Sequence, residues 1–98
     1  MAEIRVTIAN PSGLHARPAA RFVELASSFT CDILVKNITT DSKTINAKSI
    51  LGILTLGVER EHEIQITATG ADADLACQAI YKLVTEELVE IDQQNGAK

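Results

Sequence analysis

Alternating apolar and polar side chains predict four β-strands in this chain. The alternation is clearest over residues 3–8 and 61–69, where every second side chain is apolar and mostly β-branched. Residues 31–38 repeat the pattern, and a shorter strand is expected near residues 43–46. A period of two places successive side chains on opposite faces of a strand, so each long segment is expected to bury one face.

Three other segments have apolar residues at helical spacing. Residues 16–29 carry a stripe at steps of three and four, and residues 48–56 form a shorter apolar segment with Ser49 as its expected N-cap. The longest stripe is expected to comprise Leu75, Ala76, Ala79, Ile80, Leu83, Val84 and Leu88. Asp72 or Asp74 is the expected N-cap of that helix. Acidic side chains crowd its C-terminal end and predict fraying, because they oppose the helix dipole.

The element order is therefore β-α-β-β-α-β-α. Helices packed on one face of a four-stranded antiparallel sheet would bury all of these stripes, which predicts the α+β class. No linker or repeat divides the chain, so we expect one domain over residues 1–91. Residues 92–98 are mostly polar and are expected to form a flexible C-terminal tail.

The composition is that of an ordinary globular domain. Of the 98 residues, 46% are hydrophobic and 22% are charged. No apolar run approaches the roughly 20 residues of a transmembrane helix, and the N-terminus lacks the features of a signal peptide. We therefore expect a cytoplasmic protein without direct membrane insertion. Cys31 and Cys77 are too few for a zinc site and are expected to be buried free thiols, although the sequence leaves a disulfide open.

Charge is distributed unevenly along the chain. Residues 1–60 contain seven basic and five acidic side chains, whereas residues 61–98 contain two and eight, for a net charge of −4. The acidic excess argues against a general nucleic-acid surface. Only 3% of the residues are aromatic, which leaves few side chains on which bases could stack.

One short loop concentrates the candidate chemistry. Ser12 and Gly13 favour a turn, and Pro18 suits the first turn of a helix. His15 is therefore expected where a loop becomes a helix. Free backbone N–H groups at a helix start bind anions, and the planar cation of Arg17 suits phosphate oxygens. These residues predict an anion site next to a histidine that can act as a nucleophile. The alternative is that His15 only caps the helix or lies on the surface.

Two longer motifs resemble one protein family. The segment Gly-Leu-His-Ala-Arg-Pro-Ala-Ala at residues 13–20 closely resembles the active-site segment of HPr, the histidine-containing phosphocarrier of the bacterial phosphoenolpyruvate-dependent sugar phosphotransferase system. Residues 46–58 resemble the regulatory-serine segment of that family, and the similarity extends from about Ile4 to Leu88. The resemblance implies an open-faced β-sandwich, in which three helices cover one face of a four-stranded antiparallel sheet.

The resemblance also implies a phosphoryl relay rather than an enzyme. Phosphorylated enzyme I would transfer its phosphoryl group to Nδ1 of His15, which would pass it to an enzyme IIA component during sugar uptake. Arg17 and the helix start at Ala16 would compensate the phosphoryl charge, with a contact from Ser12. HPr kinase/phosphorylase would modify Ser49. The resemblance implies no cofactor and no metal, and the carrier is expected to be a monomer.

Two departures from the family pattern leave the partners open. The connection over residues 38–43 is longer than in many members, and Glu24 occupies a position where a basic or neutral residue is commoner. Two alternatives within the family are a regulatory binding module that acts through Ser49 and a carrier of a nitrogen-linked branch. A third alternative is a small α/β domain that binds nucleic acid or a metabolite. His62 has acidic neighbours and is expected to be solvated, without a part in the chemistry.

A docking surface for partner proteins is predicted beside His15. The short helix within residues 48–56 has apolar residues on more than one side, so some of them are expected to face outward. Basic side chains around them would attract an acidic partner. The predicted docking surface comprises Ala16, Ala20, Ile50, Leu51 and Leu54, with Arg17, Arg21 and Lys48 at its rim.

Overall fold

The computed structural model describes residues 1–91, which contain one four-stranded sheet. The strands are β1 (Ala2–Thr7), β2 (Asp32–Asn37), β3 (Ile45–Asn46) and β4 (Glu63–Thr69). Their order in the sheet is β1-β4-β2-β3, and every pair of neighbours is antiparallel. The predicted sheet is confirmed. The expected tail over residues 92–98 lies outside the described residues.

The register of the sheet places β-branched residues on one face. Ile4 of β1 lies opposite Ile66 of β4, and Ile66 also lies opposite Val35 of β2. Ile66 and Val35 are fully buried. Arg5 and Gln65, which also face each other, belong to the alternate positions and lie on the open face. The alternation read from the sequence therefore matches the burial of the strands.

Three helices cover the buried face of the sheet. They are α1 (Ala16–Ser27), α2 (Ile50–Thr55) and α3 (Ala73–Lys82). The buried side chains of α1 include three positions of the predicted stripe, namely Ala19, Phe22 and Ala26. Because the helices and the sheet share one hydrophobic core, the predicted α+β open-faced β-sandwich is confirmed.

The C-terminal helix is longer than the sequence predicts. After α3 it continues as a π-helical segment (Leu83–Glu87), in which the N–H of Leu88 bonds to the carbonyl of Leu83. The chain then stays helical to residue 91. The predicted fraying is wrong, because Leu88 is fully buried and Glu87 forms an ion pair with Arg21 of α1.

The buried stripe of α3 differs from the prediction at several positions. Leu75 is 63% exposed and Ala79 is half-buried, whereas Ala73 and Cys77 are buried. Cys77 and Cys31 are both free thiols, as expected. Burial is the main reason that the pKa of each thiol lies above its usual value.

Asp72 has a role that local sequence does not indicate. Its side chain makes no capping hydrogen bond to α3. The carboxylate instead accepts from the backbone N–H groups of Thr30 and Cys31, each at 3.0 Å. These hydrogen bonds, led by the one from Thr30, hold the pKa of Asp72 below its usual value. Asp72 therefore ties the start of β2 to the start of α3.

Candidate functional site

Close backbone contacts fix the loop that carries His15. The Nδ2 group of Asn10, which is fully buried, donates to the carbonyl of Gly13 at 2.9 Å, and the N–H of Leu14 donates to the carbonyl of Val58 at 3.0 Å. Gly13 has φ +61°, and a Cβ there would overlap the carbonyl oxygen of Val58 and lie 2.8 Å from the Cα of Glu59. Glycine alone accepts both the conformation and the close approach. The loop is therefore held in one position against the segment before β4.

His15 lies where this loop becomes α1. Its backbone is extended, with φ −127° and ψ 160°, and its side chain makes no capping hydrogen bond. His15 is thus the N-cap residue of α1 by its backbone position, while its imidazole caps no N–H group of the helix. Ala16 follows with φ +52°, a left-handed conformation that costs a non-glycine residue about 1 kcal/mol or more. The strained position is directly adjacent to His15.

The start of α1 favours an anion. Its first turn, which lies wholly within the described residues, contains no acidic side chain. Arg17, Ala16 and Ser12 are exposed there, whereas Pro18 is buried. Within residues 1–91, Arg17 has no ion-pair partner. The helix dipole and this guanidinium therefore act together on any negative group beside His15.

Arg21, one turn after Arg17, already forms ion pairs within the chain. Its Nη1 donates to Glu24 at 2.9 Å, while Nε and Nη2 form a fork with the two carboxylate oxygens of Glu87. These contacts, led by the hydrogen bond to Glu87, raise the pKa of the guanidinium above its usual value. Glu24 is exposed, and it also neutralises Arg21. The predicted basic rim therefore includes one cation that is paired within the chain.

The apolar part of the predicted docking surface is exposed. Leu51 is 73% exposed, and Leu54 and Ile50 are 42% and 41% exposed. Ala16 and Ala20 of α1 are also exposed, and α1 packs against α2. Exposed apolar side chains, large on α2 and small on α1, thus lie on two neighbouring helices on the same side of the sheet. Contiguous exposed apolar surface of this kind is typical of interaction sites.

Lys48 and Ser49 make local contacts at the start of α2. The Nζ group of Lys48 donates to the carbonyl of Phe29 at 2.7 Å, so this cation bridges α2 and the segment that follows α1. The Ser49 hydroxyl accepts from the N–H of Gly52 at 3.1 Å, which confirms the predicted N-cap. Both residues are half-buried.

His62 is a structural residue, and the prediction that it is solvated is wrong. Its Nδ1 accepts from the backbone N–H of Glu59 at 3.1 Å and lies 3.1 Å from Nδ2 of Asn37. Because the backbone N–H is a donor, the ring carries its proton on Nε2 in this arrangement. Asn37, which is fully buried, also donates to the carbonyl of Leu56 at 3.4 Å. The separation of 25 residues between Asn37 and His62 explains why no local pattern indicates the contact.

None of the helices within residues 1–91 is both long and apolar enough to cross a membrane. In the same part of the chain, no three His, Cys, Asp or Glu side chains are grouped so that they could hold a metal ion.

Comparisons with known proteins agree with this geometry. Residues 2–86 match the family model described as PTS HPr component phosphorylation site. A multiphosphoryl transfer protein of Vibrio cholerae is 45% identical over 73 residues, which make up 74% of this chain and 18% of that protein. The chain thus spans about a fifth of the length of the curated relatives that it matches.

Solved structures are similar over nearly their whole length. HPr-C-His from Thermoanaerobacter tengcongensis has a TM-score of 0.84 and 42% identity, with 90% of this chain and 96% of that chain covered. The phosphocarrier protein HPr from Bacillus anthracis has a TM-score of 0.79 and 42% identity, with 85% and 95% covered.

Proposed function

The chain belongs to the HPr family of phosphotransferase-system phosphocarriers, and we propose that His15 carries a phosphoryl group from enzyme I to an enzyme IIA component in sugar uptake. The observation that supports this role is the start of α1. There His15 directly precedes a helix whose first turn contains no acidic side chain and contains the exposed Arg17. Both groups favour the negative charge that a phosphoryl group would bring.

The proposed transfer needs no oxidant or cofactor. A lone pair on Nδ1 of His15 forms a bond to phosphorus, while the bond from phosphorus to enzyme I breaks and its electron pair returns to enzyme I. The second transfer reverses these roles, so His15 gives up the phosphoryl group and ends as a neutral imidazole. Arg17 and the amide groups at the start of α1, with Ser12 and Ala16 beside them, compensate the charge in both steps.

The docking surface supports partner recognition in this proposal. Leu51 and Leu54 supply exposed apolar area on α2, and Ala16 and Ala20 supply it on α1. Arg17 adds positive charge beside them. An apolar centre with a basic edge suits an acidic partner, whose association would be faster at low salt.

We also propose that phosphorylation of Ser49 by an HPr kinase/phosphorylase regulates docking. The hydroxyl already lies at the N-cap of α2, where added negative charge is tolerated by the helix. The neighbouring Ile50 and Leu51 belong to the docking surface. A phosphate there would repel an acidic partner without contact with the imidazole.

We assign residues 1–91 to one domain, which works in the cytoplasm.

The test is phosphorylation measured by intact mass. The protein is incubated with phosphoenolpyruvate and each candidate enzyme I, and the gain of one acid-labile phosphoryl group is followed. We expect the gain in the wild type and in His62→Ala, and none in His15→Ala. His62→Ala is the matched control, because it removes a histidine that the fold uses but that the relay does not. Labelling of His15→Ala, or no labelling of the wild type by any enzyme I, would refute the proposal.

A further inference from the structure

Ile91 of the C-terminal helix lies against the docking surface. Ile91 lines one groove together with Arg17, Ala20, Arg21 and Glu24 of α1. Its side chain is half-buried and packs against the core. The family match ends at residue 86, so Ile91 belongs to a helical turn beyond the matched segment. A partner that covers this face of α1 would therefore contact the C-terminal helix of the same chain.

The same helix places negative charge on Arg21. The guanidinium forms a fork with both oxygens of Glu87 and a single contact with Glu24. A second groove between α1 and the helix is lined by Arg21, Glu87, Glu86 and Glu90, with Lys82 as the other cation. Carboxylates of the chain itself thus occupy the position that an acidic partner would take at Arg21.

The π-helical segment determines which side chains of the C-terminal helix face α1. A π-turn contains more residues than an α-turn, so it changes the direction in which later side chains point. Here it lies at Leu83–Glu87, with the hydrogen bond from Leu88 to Leu83. Leu88 remains in the core after the segment. Glu87 and Ile91 are one helical turn apart, and both lie against α1.

We propose that the C-terminal helix is an intramolecular competitor of acidic partners, because Glu87 and Ile91 occupy the part of the docking surface around Arg21. The proposal rests on the function assigned above, since it concerns the affinity of that relay for its partners. Partners with enough negative charge to displace Glu87 from Arg21 are favoured over less acidic partners. Arg21 thereby becomes a specificity-determining residue, whereas Arg17 serves transfer.

The exposure of the pair indicates that it can be displaced. The side chain of Arg21 is 33% exposed and that of Glu87 is 42% exposed. Ion pairs in such partly solvated positions contribute little, so their removal changes an affinity by about two- to fivefold, which corresponds to ~0.4–1 kcal/mol. The competitor is therefore expected to tune docking rather than to prevent it.

The test compares full-length variants as acceptors of enzyme I. The initial rate of phosphorylation is measured by intact mass over a range of carrier concentrations for wild type, Glu87→Gln and Ile91→Ser. Glu3→Gln is the matched control, because it removes the same charge from an exposed position on β1. We expect Glu87→Gln to lower the half-saturating concentration by about two- to fivefold, with the same maximal rate. Ile91→Ser is expected to act in the same direction, and the difference caused by Glu87→Gln should shrink at high salt because it depends on charge.

Each result decides the matter. If Glu87→Gln and Ile91→Ser have half-saturating concentrations equal to or higher than that of the wild type, and the wild type is phosphorylated normally, the proposed competition is refuted. The proposed function as a relay is then unaffected. A shift of the same size in Glu3→Gln also refutes the proposed competition, because the net charge of the protein would then explain the effect. If no variant accepts a phosphoryl group, the proposed function fails and this inference fails with it. Thermal unfolding of each variant shows that it is folded, and Ile91→Ser keeps the comparison decisive if Glu87→Gln is unstable.

Discussion

Replacing Gly13 with alanine tests whether the loop before His15 depends on a close backbone approach. Two separate effects oppose the new Cβ. The residue has φ +61°, a left-handed conformation that alanine adopts only with strain. The Cβ would also overlap the carbonyl oxygen of Val58 and lie 2.8 Å from the Cα of Glu59, so the loop must move away from that segment.

The expected loss of stability follows from these two effects. The left-handed conformation costs alanine about 1 kcal/mol. Movement of the loop weakens the 3.0 Å hydrogen bond from Leu14 to Val58, for about 1 kcal/mol, and forces the fully buried Leu14 to repack, for about 1–3 kcal/mol. The free energy of unfolding should therefore fall by about 3–5 kcal/mol. For a domain of this size, the corresponding fall in Tm is about 12 °C or more.

Gly57 offers a matched control. It has φ +60°, but a Cβ there would meet no atom within 4 Å. Gly57→Ala should therefore lose only the cost of the left-handed conformation, about 1 kcal/mol. Urea unfolding of both variants measures the difference, and phosphorylation by enzyme I below the unfolding transition should be slower in Gly13→Ala alone. Equal losses of stability in the two variants would show that the close approach has no energetic effect, and the reasoning would be wrong.

Three further predictions concern the site and the fold. Arg17→Ala should change the free energy of unfolding by no more than about 0.5 kcal/mol, because the side chain is exposed, but should slow transfer about 10- to 100-fold. Rapid-quench kinetics measure the transfer rate, and a normal rate together with a lowered Tm would contradict the proposed role of Arg17. Ser49→Asp should raise the half-saturating carrier concentration with enzyme I at a similar maximal rate, whereas Ser49→Ala should only lose about 1 kcal/mol of stability with its N-cap. Hydrogen bonds lower the pKa of Asp72 in the folded protein, so its carboxylate stabilises the fold above the usual aspartate pKa of about 3.9, and this contribution is lost as the pH falls through the lower folded value. Urea midpoints should therefore decline less steeply below about pH 4 in Asp72→Asn than in the wild type, and parallel curves would contradict the role of Asp72.

The sequence predicts the parts of the fold that depend on local burial. The alternation around Val35 and the stripe through Phe22 report directly which side chains are removed from water, so strands and helices follow from them. Contacts between distant segments leave no such periodic signal. Asp72 binds Thr30 across 42 residues, and His62 meets Asn37 across 25, so neither role could be read from neighbouring residues.

The π-helical segment is a further example of a feature that local pattern does not contain. Residues around it have ordinary helical spacing, and the acidic side chains at its end predict fraying. The segment is stabilised from outside the helix, by the ion pair between Glu87 and Arg21 and by the burial of Leu88. Tertiary contacts thus override the unfavourable local charge.

Arg17 and Arg21 show why a motif alone could not define the site. They are two cations on one helix, one turn apart, and the sequence assigns both to the rim of the docking surface. Arg21 is paired with Glu24 and Glu87, and Lys48 is bonded to the carbonyl of Phe29. Of the three predicted rim cations, only Arg17 is without such a partner within residues 1–91. The difference arises because the Glu87 carboxylate of the C-terminal helix pairs with Arg21 and not with Arg17. In the roles proposed above, Arg17 serves the phosphoryl group, whereas Arg21 responds to partners.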